Sequence, residues 1–289
     1  MIRLASETIS SAAQDRLTYL QRQVDEQADF EQKSLRADSL WHNKSGSKIG
    51  KAAFDEIRNT LTKMCILVEV CNYCEQNEAN DIEHIYPKSL FPGKAFVWDN
   101  YLLACKQCNT AYKLDSFAVL NAQDDLIELA RGVEPPHHRG AFINPRIEDP
   151  SSFMLINPES FTFEILPDLA KADEHKAVKT CEILSLNERD ELIAARKSAA
   201  KYFYHRLEML SRILNANSIP AIEQILSPYD PMDNMLSLEE LKSTIKEGFK
   251  QDIQKHQHPS VWYSVKVIES QMDVKWKALF DIIPEALNW

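Results

Sequence analysis

The chain is short of glycine: six in 289 residues, where average usage of about 7% would place roughly 20. That scarcity, together with long stretches of 3.6-residue apolar periodicity, predicts a mainly helical protein. Apolar runs are also short. None approaches the roughly 18 residues needed to cross a bilayer, and the N-terminal MIRLASETISSAAQDR lacks the apolar core of a secretory signal. A soluble, cytoplasmic protein with no membrane partner is expected. Internal repeats and low-complexity segments are absent, as is a phosphate-binding loop of the G-x-x-x-x-G-K-[ST] type, so this chain carries no such ATPase motif of its own. Overall positive charge is missing too. A net charge of −10 argues against a surface that binds nucleic acid throughout.

What is present falls into four regions. Residues 1–70 are expected to be helical: Leu17, Leu20 and Val24 begin one apolar stripe, and Phe54, Ile57, Leu61, Met64 and Val68 form another. Residues 35–51, with two of the glycines, suggest a loop between them. Residues 71–120 hold two short strands, DIEHIY and NYLLAC, and a helix that starts at the second cysteine pair and runs past Lys113. Residues 121–170 suggest a proline-rich linker and then a hairpin, FMLI and FTFEI flanking Asn157-Pro158-Glu159-Ser160. Residues 171–289 return to helices and offer surface for docking a partner. Asn187 is placed to cap a helix carrying Leu192, Ala199, Phe203, Leu207, Leu210 and Leu214. Ser237 and Glu240 form a capping box, and Val261 to Leu279 suggests one last helix. The fold class is α+β, mainly α around a small metal-tied core.

Cys65 and Cys181 stand alone in apolar segments and suit small buried positions. The other four cysteines form two matched turns, Cys71-Asn72-Tyr73-Cys74 and Cys105-Lys106-Gln107-Cys108. Two C-x-x-C turns can complete a tetrahedron of thiolates, which favours zinc and leaves no open position for water, so the ion is structural. It would hold the intervening hairpin at both ends, substituting for a core that so small a motif cannot build.

Between and beside those turns stand the groups that phosphodiester cleavage requires: a base, a cation against developing charge, and something to aim the base. His84 is the natural base, since an unperturbed pKa near 6.5 leaves it largely neutral at pH 7. Asn100 can orient its imidazole. Glu83 and Asn109 offer hard oxygens for a single Mg²⁺ or Mn²⁺. Neighbours on a regular strand face opposite ways, so Glu83 and His84 share a site only if the strand ends or twists there. Lys88, Lys94, Lys106 and Lys113 outnumber Asp99 around this centre, which suits a locally cationic site, with Lys88, Lys106 and Lys113 as candidate phosphate contacts. Trp98 suits packing of the motif, and Asp81 a surface turn with metal binding as the alternative.

The run C-N-Y-C…D-I-E-H-I-Y-P-K-S…W-D-N-Y-L-L-A-C-K-Q-C-N-T-A-Y-K resembles the zinc-containing branch of the HNH endonucleases, built on a ββα-metal hairpin and helix. The resemblance implies His84 as general base, Asn100 as the residue that positions it, and Glu83 and Asn109 as ligands of the catalytic metal. Two departures are Asn109 where the family name has His, and Glu83 where Asp is also common. With INPRIEDP, FTFEI and TCEILSLNERDELIAARK, the chain is further similar to the HNH subunits of Septu-type anti-phage systems and their retron-linked relatives. That similarity implies an ABC/SMC-like ATPase partner and a nucleic-acid substrate, DNA before RNA. A transfer RNA target or a non-catalytic zinc-binding adaptor are the competing readings.

Overall fold

The computed structural model describes every residue except 66–68, 227, 229 and 231–234. It divides into two compact units: Met1–Met154 with Phe163–Leu192, and Leu155–Thr162 with Ile193–Trp289.

The first unit begins with three helices, each opened by a short polar side chain that accepts an otherwise unpaired backbone N–H of the first turn. Ser10 caps α1 (Ser11–Asp25), Asp29 caps α2 (Phe30–His42) and Ser47 caps α3 (Lys48–Lys63). The stripe Leu17, Leu20 and Val24 is buried on α1, and Phe54, Ile57 and Leu61 on α3; Met64 is buried just beyond. Val68 lies outside the described residues. The expected loop at 35–51 is corrected: only residues 43–47 connect two helices. Helix α2 fully buries only Ala37, with Leu40 and Trp41 half-buried beside it, so its apolar stripe is short. Gly50 lets α3 start close against that connection, because a Cβ there would lie 2.3 Å from the Lys44 carbonyl oxygen.

Two strands then pair antiparallel, β1 (Asp81–His84) and β2 (Tyr101–Ala104), with Glu83 opposite Leu102 and His84 opposite Tyr101. The following helix, Gln107–Lys113, is wound with π-type turns and ends at Lys113 instead of running past it. The Leu114 N–H closes on the Asn109 carbonyl, and Leu114 itself takes the left-handed φ of 42°. Part of the expected linker is sheet: β3 (Ala118–Leu120) pairs with β4 (Leu126–Glu128) and β5 (Arg139–Gly140). The expected hairpin is present as β6 (Met154–Ile156) and β7 (Phe163–Ile165), and the Asn157 side chain accepts from the Glu159 and Ser160 N–H groups in its turn. Asn187 does not cap the next long helix. Its amide instead brackets Phe163, accepting from the backbone N–H and donating to the carbonyl.

In the second unit, Leu238–Gln254 carries the expected capping box and buries Leu241, Ile245, Phe249 and Ile253. The expected last helix is interrupted. Asp273 is extended (φ −97°, ψ 123°) and its carboxylate accepts from Lys275 and Trp276, starting a new helix at Val274. Met272, just before the break, is left exposed. Among the described residues no helix is long and apolar enough to cross a membrane.

Candidate active site and metal centre

The two cysteine turns meet. All four Sγ atoms are buried and lie within 4.8 Å of one another, with Cys74 and Cys105 at 3.9 Å. A tetrahedron of sulfurs about 2.3 Å from a zinc ion has edges of roughly 3.8 Å, so donor type, number and spacing fit a closed structural zinc site. The first turn is fastened to β2, since both the backbone and side-chain amides of Asn72 donate to the Leu103 carbonyl. The second turn donates the Cys108 N–H to the Cys105 sulfur at 3.4 Å. Arg189, far along the chain and buried, donates to the Cys108 sulfur at 3.4 Å. Four thiolates around a dication carry two excess negative charges, and the guanidinium offsets part of that. No local motif announces Arg189; only the folded chain brings it there.

Strand β1 stays regular to its end, so its side chains alternate. Asp81 and Glu83 share the face toward the Gln107–Lys113 helix. There the Asn109 amide reaches the Asp81 carboxylate at 3.0 Å, and the Lys113 ammonium lies 2.6 Å from the Glu83 carboxylate. The same ammonium donates to the His84 carbonyl at 2.8 Å. Burial pushes the Glu83 carboxyl upward, against the opposing pull of Lys113. Glu83 and Asn109 are therefore held by different partners and do not converge. Lys113 is fully buried, which removes it as a contact for nucleic acid. Its aliphatic stem and single paired charge make this burial possible.

His84 is on the other face, in aromatic surroundings. Its ring centroid lies 4.2 Å from that of Trp41 and 5.2 Å from that of Tyr101. Its Nε2 is 2.9 Å from the Ala95 carbonyl oxygen, to which the Tyr101 hydroxyl also donates. A carbonyl can only accept, so Nε2 carries the proton and, in the neutral ring, Nδ1 keeps the lone pair. Burial first, then the positive charges of Lys88, Lys113 and Lys44, push the imidazole pKa down to about 3. The ring is neutral across the physiological range.

Asn100 acts one step away from the imidazole. Its Oδ1 accepts from the Tyr86 N–H, and its Nδ2 donates to the Tyr86 and Lys94 carbonyls. It thereby closes the loop that presents Ala95 to His84. The acceptor being backbone, no side chain at position 95 could have signalled it. Trp41 lies within residues 35–51, expected to be a loop, where no motif marks it as a neighbour of His84. Trp98 is packed, donating to the Glu7 carbonyl with the Arg146 guanidinium over its ring. Of the other expected phosphate contacts, Lys106 is exposed and Lys88 is ion-paired with Asp38 at 3.0 Å. An open pocket of about 390 Å³ lies alongside, bordered by Trp41, Lys44, Phe54, Arg58, Asp81 and Asn109.

The sequence that builds this site has relatives among known proteins. Residues 71–113 match the family model described as HNH endonuclease. They form an HNH domain. Beyond that domain, the chain is 23% identical over 263 residues to the Septu protein PtuB of Bacillus thuringiensis, an alignment covering 89% of this chain and 81% of the relative. No solved structure matches.

Proposed function

We propose that the chain is a metal-dependent HNH endonuclease that hydrolyses nucleic-acid phosphodiester bonds, DNA in preference to RNA. It acts in the cytoplasm as the nuclease subunit of an anti-phage defence complex with an ABC/SMC-like ATPase. The HNH domain supports the chemistry, and similarity to the Septu relative over most of the chain supports the defence role. The observation that carries the reading is the neutral, tautomer-fixed His84 in a hairpin bracketed by four clustered thiols.

In the reaction, His84 Nδ1 takes a proton from water as the water oxygen bonds to phosphorus and the bond to the leaving sugar oxygen breaks, that oxygen taking a proton from solvent. Ala95 and Asn100 hold the ring in the accepting tautomer, and Lys44 at the pocket rim offers positive charge to the phosphate backbone. A bound divalent ion supplies charge neutralisation at the phosphate. Glu83, committed to Lys113, does not fit as its ligand in this arrangement.

The test is plasmid nicking with Mg²⁺ or Mn²⁺, by the chain alone and together with its ATPase partner, with a transfer RNA pool run in parallel. His84→Ala is expected to lower cutting by about 10²- to 10⁴-fold, the usual contribution of a general base, with zinc content unchanged. Equal cutting by the variant would overturn the base assignment. Cleavage confined to the RNA arm would reassign the substrate, and tight binding without any cleavage would point to an adaptor.

A further inference from the structure

We propose that the divalent cation of this HNH domain is held by Asp81 and Asn109, and that Glu83 is withdrawn from metal binding by Lys113. The inference rests on the nuclease reading but concerns where the ion binds, which can be measured without turnover.

Positions 81 and 83 lie two apart on a regular strand, and positions 109 and 113 lie four apart on the facing helix. Two cross-links result, side by side. The one at Glu83 and Lys113 is sealed: their side chains are 5% and 0% exposed, and the ammonium already holds both the carboxylate and the His84 carbonyl. A dication would compete with that ammonium for the same buried carboxylate, and parting a buried ion pair is costly. The cross-link at Asp81 and Asn109 is partly exposed and borders the open pocket.

Its spacing suits an ion. The Asn109 amide atom nearest the Asp81 carboxylate oxygen is 3.0 Å from it. Two adjacent oxygens of an octahedral Mg²⁺, each about 2.1 Å from the ion, are about 3.0 Å apart. Turning the amide by half a rotation replaces its nitrogen with its oxygen at that point, the two being interchangeable in size. One carboxylate and one amide are few ligands, but Mg²⁺ characteristically keeps several waters and completes its shell with substrate phosphate. Lys44 on the same rim would meet that phosphate.

The experiment titrates Mn²⁺ into the full-length, zinc-loaded protein without nucleic acid, followed by electron paramagnetic resonance of the free ion. Wild type is expected to bind one Mn²⁺ beyond its zinc. Asp81→Ala and Asn109→Ala should each weaken that binding at least tenfold, with zinc content and thermal unfolding close to wild type. The paired variant Glu83→Gln with Lys113→Met removes the sealed cross-link without leaving either charge buried alone, and should bind Mn²⁺ within about twofold of wild type. Loss of Mn²⁺ from a folded paired variant, with retention by Asp81→Ala, would overturn the assignment. So would the absence of any Mn²⁺ site in the wild-type protein. Neither result depends on whether the chain cuts.

Discussion

The two faces of β1 solve opposite electrostatic problems within four residues. Toward the Gln107–Lys113 helix, Asp81 and Glu83 meet polar or charged partners. Toward α2, His84 meets Trp41, Tyr101 and one carbonyl. The first face keeps charge by pairing it. The second keeps a titratable ring neutral by burial, which leaves Nδ1 its lone pair at the cost of proton affinity. The difference teaches that adjacent motif residues, Glu83 and His84, belong to separate environments and need not share a task.

Breaking the charged face alone should have the largest effect on stability. Lys113→Met leaves the Glu83 carboxylate buried without its cation and is expected to cost about 3–5 kcal/mol, the usual loss when one partner of a buried pair is removed. Chemical denaturation of the zinc-loaded protein measures it. Adding Glu83→Gln should recover most of the loss, because an amide carries no charge to strand. A single variant as stable as wild type would mean the pair is not buried in solution.

Perturbing the neutral face through its support should be milder. Asn100→Ala removes three part-buried hydrogen bonds that close the 86–94 loop, at about 1–3 kcal/mol in all, since water can reach groups that are only part-buried. Nicking should fall mainly in kcat, with a shifted pH profile, because the Ala95 carbonyl loses its placement. A change confined to stability would make Asn100 purely structural.

The cysteine turns and the buried stripes of α1, α3 and Leu238–Gln254 were legible because each repeats at a spacing set by local geometry. Helix α2 was not, since its inner face carries little beyond Ala37, Leu40 and Trp41, too short a stripe to stand out from a loop. Lys113 resembled a solvated lysine because its burial depends on Glu83 across the motif. Arg189 and the Ala95 carbonyl act through contacts that only tertiary structure creates. The expected last helix kept its apolar period through Asp273, so the period concealed the cap that divides it.

The neutrality of His84 also gives a pH dependence, confined to the interval between its folded and unfolded pKa values. Its folded pKa is depressed to about 3, against about 6.5 unfolded. Its stabilising contribution is thus complete above about pH 6.5 and declines as the pH falls toward 3, because the unfolded chain binds the proton and the folded one does not. The direct measurement is an NMR titration of the His84 ring nitrogens in the zinc-loaded protein. The structure predicts a neutral ring at pH 5, protonated on Nε2 and bonded to a carbonyl. A ring that takes up its second proton near pH 6.5, or carries its single proton on Nδ1, would contradict it.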